Sequence, residues 1–341
     1  MSENTQSKYL LSVVMPVWNE EKFLAQTLDQ LYLQDFPLDK LEIIIAEGGS
    51  TDRTREIAES YKKRFAGLKV YDNPGRLPST GRNVGVRNST APYILILDGH
   101  TYIPTKSFLK DILATFDNSE ADCLCRPQPL TPPDINEFQR VVALCRASKL
   151  GHNPGSDIYS DKEDFTDPTS SGAMYKREVF EKIGYFDENF DACEDVDFNH
   201  RVKMAGLRSY ISPKLRVFYY PRDSIQGLWK QMMRYGLGRF RFSQKHNLTS
   251  PMQWLAGAGV FGFVALLILA IMFDPMAAVF KNVFGLYVLI VLAYSLLMAI
   301  KEKEIGCLLF GLLIFPTIHF GLGTGFLKGF FAKVTSAAKI W

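Results

Sequence analysis

The sequence predicts an α/β protein, built on a mostly parallel sheet with helices on both faces, that continues through a basic amphipathic segment into a membrane-embedded tail. Three observations predict this. In the first part of the 341-residue chain, short apolar runs alternate with longer stretches of helical period. Charge is partitioned along the chain: Met1 to Pro213 holds 25 Lys+Arg against 32 Asp+Glu, Lys214 to Asn247 holds 8 against 1, and Leu248 to Trp341 holds 6 against 3. The last part contains three long uncharged stretches. At about 150 residues per unit the length allows roughly two structural units, which excludes a mini-protein dependent on disulfides. The acidic first part lacks the electrostatic footprint of a nucleic-acid binder, and no such partner is expected.

Leu10 to Met15 is an apolar run closed by Pro16, a strand, and Glu20 to Leu33 then carries Phe23, Leu24, Thr27, Leu28, Leu31 and Tyr32 at helical spacing. Leu41 to Ala46 is a second strand, Gly48-Gly49 a turn, and Ser50-Thr51-Asp52 can cap a helix running through Ile57, Ala58 and Tyr61. The pattern repeats with a strand at Leu68 to Tyr71, a helix around Thr80 to Asn88, a strand at Tyr93 to Leu97 and a helix from Thr105 to Phe116. Cys123-x-Cys125 alternates as a strand, and Met174-Tyr175 marks another. Sheets of this kind bind ligands beyond the carboxyl ends of their strands. The site is therefore expected in the loops after Met15, Ala46 and Leu97.

Trp254 to Phe273, Val283 to Ile300 and Ile305 to Leu327 are each about long enough for a hydrocarbon core. The third contains Pro316 and glycines from Gly321 to Gly325, so a broken or re-entrant segment returning Lys328, Lys333 and Lys339 to the cytoplasm stays open beside a third crossing. No secretory signal is read at the N-terminus, and five cysteines without a C-x-x-C pattern suit free thiols in a reducing compartment. The expected organisation is a cytosolic domain over 1–222, a basic amphipathic interfacial segment over 223–250 and a membrane domain of about three helices over 251–341.

Five blocks fall in the predicted loops: SVVMPVWNE (Ser12 to Glu20), AEGGSTDRT (Ala46 to Thr54), GRNVG (Gly81 to Gly85), LDGH (Leu97 to His100) and ACEDVDF (Ala192 to Phe198). In order and spacing they resemble a family-2 glycosyltransferase of the GT-A fold, a Rossmann-like sheet, and within it the membrane-anchored transferases of bacterial exopolysaccharide synthesis, similar to the succinoglycan type.

The resemblance implies a site. Pro16, Val17, Asn19 and Glu20 would line the base slot of a nucleotide-sugar donor, though the same residues also read as a strand end and helix cap. Glu47 stands where the family has an acid facing the base, and Gly48 departs from a second acid. Arg82 and Asn83 would approach the donor. Asp98-Gly99-His100 replaces the family's Asp-x-Asp, so Asp98 and His100 would hold a divalent metal, Mn2+ or Mg2+, with the imidazole tilting the preference towards Mn2+. Gly172 would lie in the floor beneath sugar and acceptor. Asp195 would be the general base, with Glu194 beside it, and adjacent carboxylates raise a pKa by repulsion. Gln231, Arg234 and Tyr235 resemble the Q-x-x-R-W motif of processive synthases, with roles toward diphosphate or acceptor, or toward lipid headgroups. A His that the family often carries shortly before this segment is absent from Phe218-Tyr219-Tyr220-Pro221-Arg222.

The implied activity is inverting, metal-dependent transfer of a hexose from a UDP-sugar to a lipid-linked saccharide at the cytosolic surface of a bacterial inner membrane. Two alternatives stand beside it: a processive polysaccharide synthase, and a non-catalytic sugar-binding membrane scaffold motivated by Gly48 and His100. The sequence leaves sugar, linkage, acceptor and oligomeric state open.

Overall fold

A computed structural model describes residues 7–151, 155–248 and 251–331. The chain divides into two compact units, one of Met1–Pro132 with Ser156–Tyr220 and one of Pro133–Gly155 with Pro221–Trp341.

In the first unit the predicted alternation is present: β1 (Leu11–Val17), α1 (Leu24–Tyr32), β2 (Leu41–Glu47), α2 (Thr54–Ser60), β3 (Leu68–Asp72), α3 (Pro78–Asn88), β4 (Tyr93–Ile96), β5 (Thr101–Tyr102), α4 (Phe108–Ser119) and β6 (Cys123–Cys125). The second unit contributes α5 (Glu137–Ala147), and the first resumes with β7 (Asp164–Phe165), β8 (Gly172–Lys176), α6 (Arg177–Ile183), α7 (Glu194–Met204), β9 (Ser209–Ile211) and β10 (Phe218–Tyr219). The main sheet runs β3-β2-β1-β4-β8-β6-β9-β7, with β5 and β10 forming a separate antiparallel pair. β1, β2, β3 and β4 are parallel, whereas β8 runs antiparallel to β4 and β6. The strand order reverses at β1, between β2 and β4, so the crevice beyond Val17 and Ile96 is where a parallel α/β sheet opens for a ligand.

Alternation along the strands builds two cores. Leu11, Val13 and Met15 of β1 face α1 and α4, whose Leu24, Leu28, Phe108 and Phe116 are buried with them. Val14, on the other face, joins Ile94 of β4 and Tyr175 of β8 against Val86, Phe180, Phe198 and Val202 of α3, α6 and α7. A methyl group at Gly85 would overlap the Val14 side chain, so this glycine lets α3 lie directly on β1. All five cysteines are buried free thiols.

Two helices start later than their periodicity predicts. α1 begins at Leu24 rather than Glu20, because Asn19 adopts a positive φ of 54° and the Glu20 amide donates to Thr54 Oγ1 instead of extending the helix. α4 begins at Phe108 and runs on to Ser119.

The second unit holds α5, α8 (Ile225–His246), α9 (Pro251–Met272), α10 (Asp274–Glu302) and α11 (Gly306–Phe331). Three helices, Trp254–Met272, Asp274–Glu302 and Gly306–Phe331, are long and apolar enough to cross a membrane. α11 passes through Pro316 unbroken, and at 1.5 Å per residue it is about 39 Å long, more than a bilayer's hydrocarbon core. The broken alternative is therefore replaced by one continuous helix; Lys333 and Lys339 lie outside the described residues. The apolar stripe of α8 is taken up by protein: Leu228 and Met232 share a buried cluster with Ile314, Phe315 and Ile318 of α11, and Gly321 lies against Met232.

Candidate active site

The loops after β1, β2 and β4 carry the expected residues, each fixed by local bonding. Asn19 takes the amide of Thr51 on its side-chain oxygen at 2.9 Å, and its own amide donates to Ser50 Oγ, so the loops after β1 and β2 are tied together. Pro16 and Val17 end β1, and the Val17 carbonyl accepts from Gly48 at 2.9 Å. Glu47 is 1 % exposed and accepts from the Ser50 amide at 2.6 Å and from Arg55 Nε at 2.9 Å. Burial pushes its carboxyl up, but these donors outweigh burial and hold it below the usual range. Asp52 accepts from the amide and hydroxyl of Thr54 and from the Glu21 amide, which ties the loop after β1 to the start of α2. Asn83 is fully buried: its amide exchanges two 2.9 Å bonds with the Phe186 backbone and reaches Glu188, pinning the segment that leads to α7.

Arg82 is the centre of the arrangement. It lies on α3, nearly buried, with Nη1 2.9 Å from Glu194 Oε1, Nη2 3.9 Å from Asp98 Oδ1 and its guanidinium over the Phe186 ring. The sequence blocks around Gly81, Asp98 and Glu194 thus meet on one cation. Glu194 opens α7 directly after Cys193, whose φ of 65° is an uncommon conformation for a side-chain-bearing residue and turns the chain sharply into the helix. Burial pushes Glu194 up to about 7; Arg82 opposes this, while Asp195 and Asp98 reinforce it. A guanidinium does not give up its proton, so of the carboxylates around Arg82 the buried Glu194 takes one most readily. Asp195 is exposed, with Oδ1 accepting its neighbour's amide at 2.9 Å, whereas Asp197 is buried on Arg201 at 3.2 Å.

Asp98 lies just past β4. Its Oδ2 accepts from the Tyr219 hydroxyl at 2.9 Å, and Tyr219 in turn accepts from Arg126 Nη2 at 2.9 Å. Burial would push the Asp98 carboxyl up, but Arg82, then His100, Arg126 and the tyrosine hold it down. His100 packs edge-on against Tyr219 and places Nδ1 2.8 Å from Glu20 Oε1. Glu20 therefore orients an imidazole here. Gly99, between them, lies against Val17 and the Glu20 stem.

Sequence reasoning passed over Tyr219 and Arg126. The signal for Tyr219 was present, since it occupies the stretch noted for its missing histidine. β10 pairs Tyr219 with Thr101 of β5, which brings its ring beside Asp98 and His100.

Gly172 opens β8, and its carbonyl accepts from Tyr175 and from Asn199 of α7; a methyl group there would come 2.5 Å from Asn199 Oδ1. Gln231, Arg234 and Tyr235 belong to the second unit. There Gln231 accepts from Arg146 of α5 at 3.4 Å, and Arg146 also lies over the Tyr235 ring.

Among the described residues no three protein ligands gather for a metal ion. Asp98 and His100 nevertheless flank the same tyrosine ring, and Glu20 behind the imidazole is the carboxylate that orients metal-bound histidines. One carboxylate and one imidazole suit a divalent ion whose other positions are filled by phosphate oxygens and water.

Residues 12–184, half of the chain, match the model of the family described as Glycosyl transferase family 2. The chain belongs to this family. It is thus a transferase, and its relatives include exopolysaccharide-type glycosyltransferases. It is 30% identical over 240 residues to the succinoglycan biosynthesis protein ExoA of Rhizobium meliloti, covering 69% of this chain and 70% of that one. It is 26% identical over 326 residues to a dolichyl N-acetyl-alpha-D-glucosaminyl phosphate 3-beta-D-2,3-diacetamido-2,3-dideoxy-beta-D-glucuronosyltransferase of Methanococcus voltae, covering 94% and 96%. Among solved structures, the mannosyltransferase PcManGT of Pyrobaculum calidifontis, in complex with GDP-Man and Mn2+, superposes with a TM-score of 0.61 at 18% identity, covering 95% of this chain and 88% of that one. The 1–349 fragment of Staphylococcus aureus TarS with UDP-GlcNAc gives 0.52 at 17% identity, covering 92% and 90%. These superpositions share the GT-A type of sheet.

Proposed function

We propose that the chain is an inverting glycosyltransferase that moves a hexose from a nucleoside diphosphate donor, a UDP-hexose, to a lipid-linked saccharide at the cytoplasmic face of a membrane. The observation that carries this reading is Arg82 standing between Asp98 and Glu194, with Asp195 exposed next to Glu194.

The donor's base and ribose occupy the crevice beyond β1 and β2, and its diphosphate lies at Asp98. Asp195 takes the proton of the acceptor hydroxyl as that oxygen attacks the anomeric carbon. The bond from that carbon to the diphosphate oxygen breaks on the opposite face, so the product is inverted and the nucleoside diphosphate leaves with the electron pair. Arg82 keeps a fixed positive charge beside the leaving oxygens, which lowers the barrier most in a water-poor site. Asp98 and His100 are the residues that would hold a divalent ion, Mn2+ before Mg2+. Such an ion supplies Lewis-acid neutralisation of the departing diphosphate. The acceptor's lipid explains the tail: a substrate that stays in the bilayer calls for an enzyme anchored there, with the basic α8 segment, 223–250, near anionic headgroups and the spans of 251–341 in the inner membrane. Relatives named for succinoglycan synthesis and for a dolichyl phosphate-linked substrate support a lipid-bound acceptor.

Purified full-length protein is incubated with membrane lipid extract and radiolabelled UDP- or GDP-hexoses, with Mn2+, Mg2+ or chelator. Addition of one sugar to a lipid fraction, arrested by chelator and restored best by Mn2+, is the expected result. Long polymer would instead favour a processive synthase, and no transfer from any donor a binding scaffold.

A further inference from the structure

Arg126 follows β6 and is 2 % exposed, yet only one of its three side-chain nitrogens has a hydrogen-bond partner. Nη2 donates to Tyr219, while Nε and Nη1 are buried without one. Burying a guanidinium is costly unless its N–H groups meet acceptors. Arg82, the other buried arginine of this face, has carboxylates around it; Arg126 forms no ion pair among the described residues and reaches Asp98 only through the Tyr219 hydroxyl.

β6 lies two strands from β4 on the side away from β1, about 10 Å across the sheet. From base to sugar a donor runs from β2 and β1 over Asp98 and on towards β8 and β6. The Arg126 amide donates to the Ser171 carbonyl, and Ser171 Oγ is a second buried group without a partner. Arg126 and Ser171 are thus joined through their backbones next to Gly172, and each carries a buried side-chain donor without a partner.

We propose that Arg126 and Ser171 form a receptor for an oxyanion of the substrate, either a carboxylate on the transferred sugar or the diphosphate of its donor. This rests on the crevice being a nucleotide-sugar site, as argued above. The guanidinium supplies Nε and Nη1 in a fork suited to two oxygens, Ser171 adds a hydroxyl, and Tyr219 holds the fork in place. A donor that fills this receptor satisfies groups that a donor lacking the anion leaves unpaired, which makes Arg126 a specificity-determining residue.

The test is equilibrium binding to full-length protein in detergent, comparing wild type with Arg126→Gln, Arg126→Lys and Ser171→Ala. The probes are inorganic pyrophosphate, UDP-glucuronate against UDP-glucose, and GDP-mannuronate against GDP-mannose. Arg126→Gln is expected to lose at least about tenfold in affinity for one class of probe, with Arg126→Lys retaining part of it and Ser171→Ala losing a few-fold. A loss shared by pyrophosphate and all the nucleotide sugars assigns the diphosphate; a loss confined to the uronates assigns the sugar carboxylate. Unchanged affinities in Arg126→Gln overturn the proposal, as do equal losses for Arg126→Lys and Arg126→Gln with an intact Ser171→Ala. Wild type that binds pyrophosphate through Arg126 but no nucleotide sugar refutes the transfer reading alone, and wild type that binds no probe overturns both.

Discussion

Arg82 Nη1 and Glu194 Oε1 meet at 2.9 Å, and this contact joins the helix after β3 to the helix that presents Asp195. Burial pushes Glu194 up to about 7. Below that pH the carboxyl is largely neutral and the charge of Arg82 is directed at Asp98 and the donor; above it Glu194 ionises and competes for the same guanidinium. An arriving diphosphate favours the protonated carboxyl, so donor affinity is expected to fall as pH rises through about 7. Donor dissociation constants measured from pH 6 to 8 should show that decline in wild type and a flat profile in Glu194→Gln. A decline of the same size in Glu194→Gln would assign it to another group.

Asp195→Asn keeps the size of the exposed side chain and removes the proton acceptor. Turnover should fall by at least about a hundredfold while nucleotide affinity stays within about twofold. Single-turnover rates and nucleotide titration measure the two separately, and undiminished turnover would remove Asp195 from the mechanism.

Tyr219→Phe deletes the hydroxyl between Arg126 and Asp98. Losing one bond to a carboxylate costs up to about 1.5–3 kcal/mol of stability, and donor binding in the presence of Mn2+ is expected to weaken because Asp98 loses the group that fixes its position. The protein should stay folded, because the ring still packs against His100; calorimetric titration beside a thermal melt checks both.

Gly172→Ala puts a methyl group 2.5 Å from Asn199 Oδ1, where Asn199 and Tyr175 share bonds with the Gly172 carbonyl. Overpacking of this kind costs about 1–3 kcal/mol. A lowered melting temperature should appear together with reduced turnover, since α7 carries both Asn199 and Asp195; a melt identical to wild type would show that the floor can yield.

The first half of the sheet is legible in the sequence because β1, β2 and β4 are covered on both faces, so their apolar runs are continuous and their ends are marked by Pro16, Gly48 and Asp98. The later strands are two to five residues long and carry little pattern of their own. Arg82, Asp98 and Glu194 come from three separate blocks and meet in the structure, whereas Asn83, next to Arg82, is bonded to Phe186 and Glu188. Tyr219 and Arg126 escaped because their roles arise from pairing between segments distant in sequence, which no local period encodes. The place of α5 among the helices of the second unit is similarly silent: Val141, Val142 and Cys145 meet their partners, Cys307 and Ile314 among them, only in three dimensions.

The tyrosine that caps Asp98 lies 121 residues downstream of it. At about 5–20 residues per second, a ribosome needs roughly 6–24 s to make that stretch. Throughout this interval the carboxylate can have Arg82 beside it but not the tyrosine hydroxyl, which is made last. A fragment for crystallisation that stops at Gly184, where the family match ends, would leave out both this tyrosine and α7; it has to reach Tyr220, the end of the first unit, to include them.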